Sequence, residues 1–407
     1  MVPSAQQGCT TPPPSPEAAE TVLLPELLPL VFARLPFNAQ HMTVALLSKR
    51  WHAWALQQRG GAPSFSPQRL QALPAHAVHH AWSSRGFVTD HAHRNAVLAF
   101  GAEAGDLALL QWWQQRRCPW DVSACTAAAG AGQLGVLQWL RAQEPPCPWD
   151  EGTCTAAAAA GQLDVLQWAR CGEQPCPWDK WSCADAAGAG HLEVVQWMCS
   201  QDPPCPWDAS ACTDAARGGH LGVVQWLRSQ DPPCPWDESV CAAAAGGGHL
   251  EVVQWLRAQE APCPWDEGTC AAAAAAGQLE VLQWARSGEQ PCPWAESACS
   301  AAARHGHLDV LQWLRSEDPP CPWGSRACAW AARNGHLDAL QWLRAQDPPC
   351  PWDARTCAGA AEGGHLGVLQ WLRSQDPPCP WDESVISGAL SSGHSELVEW
   401  VMLFVDD

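Results

Sequence analysis

The sequence predicts an all-α solenoid, a stack of helical pairs that grows in one dimension. Three observations carry this prediction. The motif Cys-Pro-Trp returns every 29 residues, ten times, from Trp120 to Trp381. A fixed period of this length marks units that cannot bury their own apolar face and must stack on their neighbours. Each unit also splits into an alanine-rich stretch and a stretch with apolar residues at helical spacing, with glycine between them.

Taken in order, residues 1–20 are expected to be a disordered tail, because Thr10–Glu20 is rich in Pro, Ser and Thr. Met1 to Glu20 has no basic n-region and no apolar h-region, which predicts an intracellular protein, cytoplasmic or nuclear. Val22 to Phe37 is apolar, but Glu26, Arg34 and three prolines interrupt it, and it is too short to span a bilayer. No membrane partner is therefore expected. Residues 21–57 predict a small helical module, with Leu27, Leu28, Val31, Phe32 and Leu35 at helical spacing. Residues 58–94 predict a helical connector, broken at Gly60-Gly61. Its histidines, His79, His80, His91 and His93, lack the spacing of metal ligands. Residues 95–407 predict the array, about eleven helical pairs.

One unit, Cys234 to Pro262, shows the logic. Its first helix is expected over roughly Ser239–Ala245, with Asp237 as its cap and Glu238 near the positive helix end. Gly246 to Gly248 stop it. The second helix begins near His249 and carries Leu250, Val252, Val253, Trp255 and Leu256. Arg257 sits in its last turn, where a cation suits the dipole. A row of alanines allows neighbouring units to approach closely. The two tryptophans per unit are expected to supply core bulk, about 2–3 kcal/mol each if fully buried.

Ala215-Ala216-Arg217-Gly218-Gly219-His220-Leu221-Gly222-Val223-Val224 and Ala331-Ala332-Arg333-Asn334-Gly335-His336-Leu337 carry a resemblance to the ankyrin repeat. It extends over about residues 95–403 and implies an ankyrin-like helical-pair solenoid. The family's unit has about 33 residues. The 29-residue period here implies short or missing β-hairpin fingers. Loss of the fingers shifts any binding surface onto the exposed side of the first helices. In the family's register one exposed position precedes the Ala pair and two follow it. Most units place Ala or Gly there. Asp185, Asp214 and Trp330 depart at the earlier position, and Arg217, Arg304, His305, Arg333, Asn334 and Glu362 at the later ones. These nine are the target-binding candidates, read either as a stripe that holds a peptide or as free drift of surface positions.

Seven histidines and three glutamines, Gln133, Gln162 and Gln278, alternate at the start of the second helices. Their exchange predicts local hydrogen bonding rather than metal ligation. The 22 cysteines include the ten of Cys-Pro-Trp and nine that lie seven residues later. Ile386 in the second column marks that site as apolar and buried. The spacing offers no four-ligand zinc site. A Cys118–Cys125 type of bridge would need an oxidising compartment.

Charge is divided unevenly. Residues 1–100 hold seven Lys/Arg and four Asp/Glu, whereas residues 101–407 hold sixteen and thirty-eight. The acidic array leads to the expectation of a protein target and no nucleic acid. There is no Gly-rich phosphate loop, no Gly-x-Ser-x-Gly and no His-Glu-x-x-His. Neither catalytic residues, cofactors nor a metal are expected, so the protein is not expected to be an enzyme.

Glu26-Leu27-Leu28, Val31-Phe32 and Leu35-Pro36, followed by Leu47-Ser48-Lys49-Arg50-Trp51, resemble an F-box. The resemblance implies docking on a Skp-family adaptor of cullin–RING ubiquitin ligases through Leu27, Leu28, Val31, Phe32 and Leu35. Pro29 within the first helix departs from an easy helix. Read from the residues alone, the segment equally suits a helical cap on the first apolar face of the array. The expected function is thus a protein-interaction module. In one form it is a substrate receptor of a ubiquitin ligase, and in the other a scaffold with no ubiquitin link. The protein is expected to be a monomer outside its complexes.

Overall fold

The computed structural model describes residues 91–115, 119–172 and 174–403 of the chain. The F-box-like module, with Leu27, Leu28, Val31, Phe32 and Leu35, lies outside the described residues. Among the described residues there are 22 helices in eleven successive pairs and no strand. The fold is the all-α helical-pair solenoid, without β-hairpin fingers.

The first pair is α1 (His91–Glu103) and α2 (Leu107–Gln115). Asp106 opens α2 by accepting from the Leu109 N–H at 3.0 Å. Leu98, Leu109, Leu110 and Trp113 are buried. A Cβ on Gly101 would lie 3.0 Å from Leu109, so its absence lets α1 close on α2.

The ten pairs after it share one plan. They are α3 (Val122–Gly130) and α4 (Leu134–Arg141), α5 (Glu151–Ala159) and α6 (Leu163–Arg170), α7 (Lys180–Gly188) and α8 (Leu192–Cys199), α9 (Ala209–Arg217) and α10 (Leu221–Arg228), and α11 (Glu238–Gly246) and α12 (Leu250–Arg257). Then follow α13 (Glu267–Ala275) and α14 (Leu279–Ser287), α15 (Glu296–His305) and α16 (Leu308–Ser316), α17 (Ser325–Arg333) and α18 (Leu337–Arg344), α19 (Ala354–Glu362) and α20 (Leu366–Arg373), and α21 (Glu383–Ser392) and α22 (Ser395–Met402).

The aspartate after Cys-Pro-Trp caps most first helices. Asp237 accepts from the Ser239 N–H at 3.0 Å and Asp121 from the Ser123 N–H at 2.9 Å, which satisfies a donor that the helix leaves orphaned. Ala295 and Gly324 stand at the same place with no side-chain cap. A left-handed glycine, such as Gly219 at φ 77°, then turns the chain into the second helix. The second helix ends where the next Cys-Pro-Trp cysteine returns its N–H to a carbonyl of that helix, as Cys234 does to Leu227 at 3.1 Å.

From α3 to α21, each first helix packs on its neighbouring first helices in this series and on the second helix of its own unit. Alanine explains the close stacking, since Ala215 and Ala216 are fully buried. Val223, Val224 and Leu227 bury the facing side of α10. Each such aliphatic side chain contributes about 1.5–3 kcal/mol of apolar burial.

The tryptophan columns differ from the expectation of core packing. Trp149, Trp178, Trp236 and the other motif tryptophans are half-buried. Alanine, cysteine, valine and leucine fill the core, which leaves the indoles at its rim. There each motif ring meets the second-helix Trp of its own unit, as in Trp149–Trp168 with centroids 5.9 Å apart and an edge-on angle of 69°. The outer face of Trp149 carries the Arg141 guanidinium of the preceding unit, 4.0 Å from the ring centroid.

Candidate functional site

The candidate residues fall on the first helices, whose exposed side is otherwise built from Ala and Gly, and they gather in two places. In the first, Asp185 and Gly188 of α7, Asp214 and Arg217 of α9, Ala159, Ala184 and Gly218 line a shallow groove of about 540 Å³. Arg217 and Asp214 form an ion pair one helical turn apart. Burial, followed by the nearby Asp214 and Asp179, holds the Asp185 carboxyl above the usual carboxylate range. Small residues make the groove. A Cβ on Gly188 would lie 3.0 Å from the Asp214 side chain, and one on Gly218 would run into the Gly188 carbonyl and the His220 ring.

In the second place, Trp330 projects half-buried from α17. The Arg304 guanidinium of α15 lies 4.5 Å from its ring centroid and that of Arg333 lies 5.6 Å away. Arg333 continues to Glu362 of α19 in a 2.9 Å ion pair. Asn334 closes the helix end, donating to the Trp330 carbonyl at 2.9 Å. His305 stacks on His307 with centroids 6.3 Å apart. Its basicity is lowered by burial first and then by Arg304, His307 and His336. Arg304, Trp330, Arg333 and Glu362 thus form a chain of contacts across three successive units. The structure brings Asp185 together with Asp214 and Arg217, and Trp330 with Arg304, Arg333, Asn334 and Glu362.

A further charged pair outside the candidates lies at the start of α7. Lys180 at the start of α7 pairs with Asp208 at 2.8 Å, and its ammonium lies 4.9 Å from the exposed Trp181 ring. As the only lysine of the array, Lys180 was the signal in the sequence that could have drawn attention to this unit.

The histidine column does not bond locally. His249 Nε2 reaches the Arg217 carbonyl of the preceding unit at 2.9 Å, and His307 and His336 reach the carbonyls of Ala275 and Arg304, each at 3.1 Å. These rings connect units, because the left-handed glycine of the preceding unit leaves a seat for them. The described cysteines are free thiols. Most thiols of the second column face the next unit. The Cys125 sulfur lies 3.9 Å from the Cys147 carbonyl oxygen, and the Cys241 sulfur 3.8 Å from that of Cys263. The motif thiol then donates to the carbonyl of the preceding cap, as Cys263 does to Asp237 at 3.3 Å. Among the described residues, no group of three or more His, Cys, Asp or Glu is arranged to hold a metal ion.

The sequence model of the family described as "Ankyrin repeats (many copies)" matches residues 299–344, which run from α15 to the end of α18. No curated protein matches the chain. Similar solved structures include the pentatricopeptide repeat protein PPR10 in complex with an 18-nt psaJ RNA element, at 14% identity and a TM-score of 0.35, covering 97% of this chain and 66% of that one. A cysteine-substituted form of PPR10 in complex with the same element gives the same figures. PPR10 from maize is similar at 15% identity and a TM-score of 0.32, covering 91% of this chain and 53% of that one. The chain therefore spans less than two thirds of the length of these proteins.

The expectation that nucleic acid is excluded is corrected here, because two of these three helical-repeat structures hold RNA. The charge of a whole array is an average, and a solenoid presents separate faces, so net acidity does not exclude a nucleic-acid face. At these TM-scores the likeness assigns this chain no ligand. No helix among the described residues is long and apolar enough to cross a membrane. The described chain is a helical-pair repeat protein, and its residues 299–344 match the ankyrin repeat.

Proposed function

We propose that the array is a protein-binding module and that the chain is a substrate receptor, holding a target protein on the exposed side of its first helices. The carrying observation is Trp330, set between Arg304 and Arg333 at a position where most units carry Ala or Gly. A large aromatic flanked by guanidinium groups is the composition of a binding hot spot. It suits a target segment with a carboxylate beside an apolar side chain. The link to a cullin–RING ligase rests on the F-box-like pattern through Leu27, Leu28, Val31, Phe32 and Leu35 alone. The chemistry would belong to the partner enzymes.

Two measurements test the two halves. Proteins captured by the full chain are compared with those captured by Trp330→Ala and Arg304→Ala variants of unchanged melting temperature. Partners retained equally by both variants would remove the target site from this face. Co-purification with a Skp-family adaptor is compared between the parent and a Leu28→Asp, Phe32→Asp double variant. Absence of binding by a folded parent would reduce the N-terminal segment to a cap and leave a scaffold with no ubiquitin link.

A further inference from the structure

One unit breaks the arginine column. Eight second helices between α4 and α20 carry an arginine in their last turn, and α8 carries Cys199 at that place. Seven of these arginines share one geometry. The guanidinium donates to the carbonyl of the next Cys-Pro-Trp cysteine at 2.5 to 2.8 Å. It also covers the ring of the tryptophan that follows, 3.8 to 4.1 Å from the centroid. Arg373 sits more loosely, 3.3 Å from the Cys379 carbonyl and 5.3 Å from the Trp381 centroid. The ring pairs follow the cover. Under a close arginine the motif ring meets the second-helix Trp at 66 to 75°. Under Arg373 the angle is 61°, and at Trp207–Trp226, with no arginine, it is 53°.

Cys199 ends one atom past its Cβ, too short to stand where a guanidinium stands. Cys205 uses its thiol on the Asp179 carbonyl and its N–H on the Met198 carbonyl. Among the described residues nothing donates to the Cys205 carbonyl, and the ring contact of Trp207 is with Trp226. Lys180 does not take the place, since it pairs with Asp208 and lies over the Trp181 ring. Residues 193–214 carry Glu193, Asp202, Asp208 and Asp214 and no Lys or Arg. The covering arginines of the other units are half-buried, so the seat they fill opens to solvent. An aromatic face, an acceptor carbonyl and uncompensated negative charge therefore meet at one open place.

We propose that this seat takes an arginine side chain from a partner protein, docked over Trp207 and bonded to the Cys205 carbonyl. The array itself supplies the template, because seven of its own arginines make this same pair of contacts in other units. A guanidinium is flat enough to stack on the indole and still donates sideways in its plane to the carbonyl. An ammonium is a compact point charge that cannot do both. The local acidity draws a cationic segment and disfavours an anionic one. The seat lies on the Cys-Pro-Trp rim and not on the exposed side of the first helices, so it stands or falls apart from the Trp330 site.

The test uses the full chain with nitrogen-labelled indoles, followed by NMR, and the Trp207 signal is identified with Trp207→Phe. The probe is the blocked peptide acetyl-Gly-Arg-Gly-amide, titrated to millimolar concentration. The expected result is a saturable shift of the Trp207 indole, with the Trp236 indole, already covered by Arg228, unmoved. The lysine and citrulline versions of the peptide should bind at least about fivefold more weakly. Cys199→Arg installs the residue that eight other units use. It should raise the melting temperature, move the Trp207 signal without peptide and abolish the response to the probe. No saturable shift at Trp207 would overturn the seat, and an equal response to the lysine peptide would overturn its preference for a guanidinium. Self-association of the parent that Cys199→Arg removes would give the seat to a second copy of this chain and overturn the separate partner. If Trp207→Phe fails to fold, the signal that moves in Cys199→Arg identifies the same ring.

Discussion

Arg257 at the end of α12 lies 4.1 Å from the ring centroid of Trp265 in the next unit. Its Nη1 also donates to the Cys263 carbonyl at 2.7 Å. One side chain therefore closes a helix end and covers the neighbouring indole. A half-exposed cation–π contact contributes about 0.5–2 kcal/mol and a charged hydrogen bond about 1.5–3 kcal/mol, and the two overlap. Arg257→Ala should lower unfolding stability by about 1–3 kcal/mol. Arg257→Lys should recover less than half of this, because an ammonium cannot stack flat and donate sideways at once. Urea melts of the three proteins check both statements.

Gly219 is needed for two separable reasons. Its φ of 77° is left-handed, and a Cβ would lie 2.4 Å from Nδ1 of the His249 ring seated on it. Gly219→Ala should cost about 2–4 kcal/mol, combining the left-handed penalty with displacement of the ring. Adding His249→Ala removes the overlap and leaves the backbone penalty, so the pair should be less than additive. His249→Gln should be mild, since Gln278 occupies the equivalent seat against Gly248. Thermal melts of the four variants decide it.

The period, the pairing of helices, the aspartate caps and the glycine stops were legible because each is set by residues close in sequence. Asp237 and Ser239 are two positions apart, so their bond follows from local geometry. The bonds between units were not legible. Cys241 and Cys263 are 22 positions apart and His249 and Arg217 are 32 apart, and stacking alone makes them neighbours. Arg257 was legible as a cation at a helix end, but its tryptophan belongs to the next unit. The candidate positions were read from a register, and that register cannot say which of them touch. The approach of Arg304 and Arg333 to Trp330 depends on the step between units.

Two carboxylates on neighbouring units should respond to pH in opposite directions. The Lys180 hydrogen bond, with the Ser210 hydroxyl and N–H, holds Asp208 down to about 2. A depressed carboxyl stabilises the fold above its unfolded value of about 3.9, and that contribution is lost as pH falls toward about 2. Lys180→Met should move the Asp208 titration upward, though not fully, because Ser210 remains. Asp185 is raised, so its ionisation opposes folding above the carboxylate range. Asp185→Asn should therefore raise the melting temperature near neutral pH and change it little near pH 3, where both forms are uncharged. Carboxyl NMR titration and melts at the two pH values check these signs.

The second cysteine column should accept an aliphatic residue more readily than a hydroxyl. Cys241 is fully buried against Cys263, and its sulfur sits 3.8 Å from the Cys263 carbonyl, a long contact that contributes little as a hydrogen bond. The site is thus a small apolar slot, which agrees with Ile386 at the matching place in α21. Cys241→Ser shortens the side chain and leaves a buried hydroxyl too far from that carbonyl to bond well, at a cost of about 1–3 kcal/mol. Cys241→Val fills the slot and should cost less than about 1.5 kcal/mol. If serine instead proved the milder of the two in denaturant melts, the thiol column would be a hydrogen-bonding ladder between units and not an apolar seam.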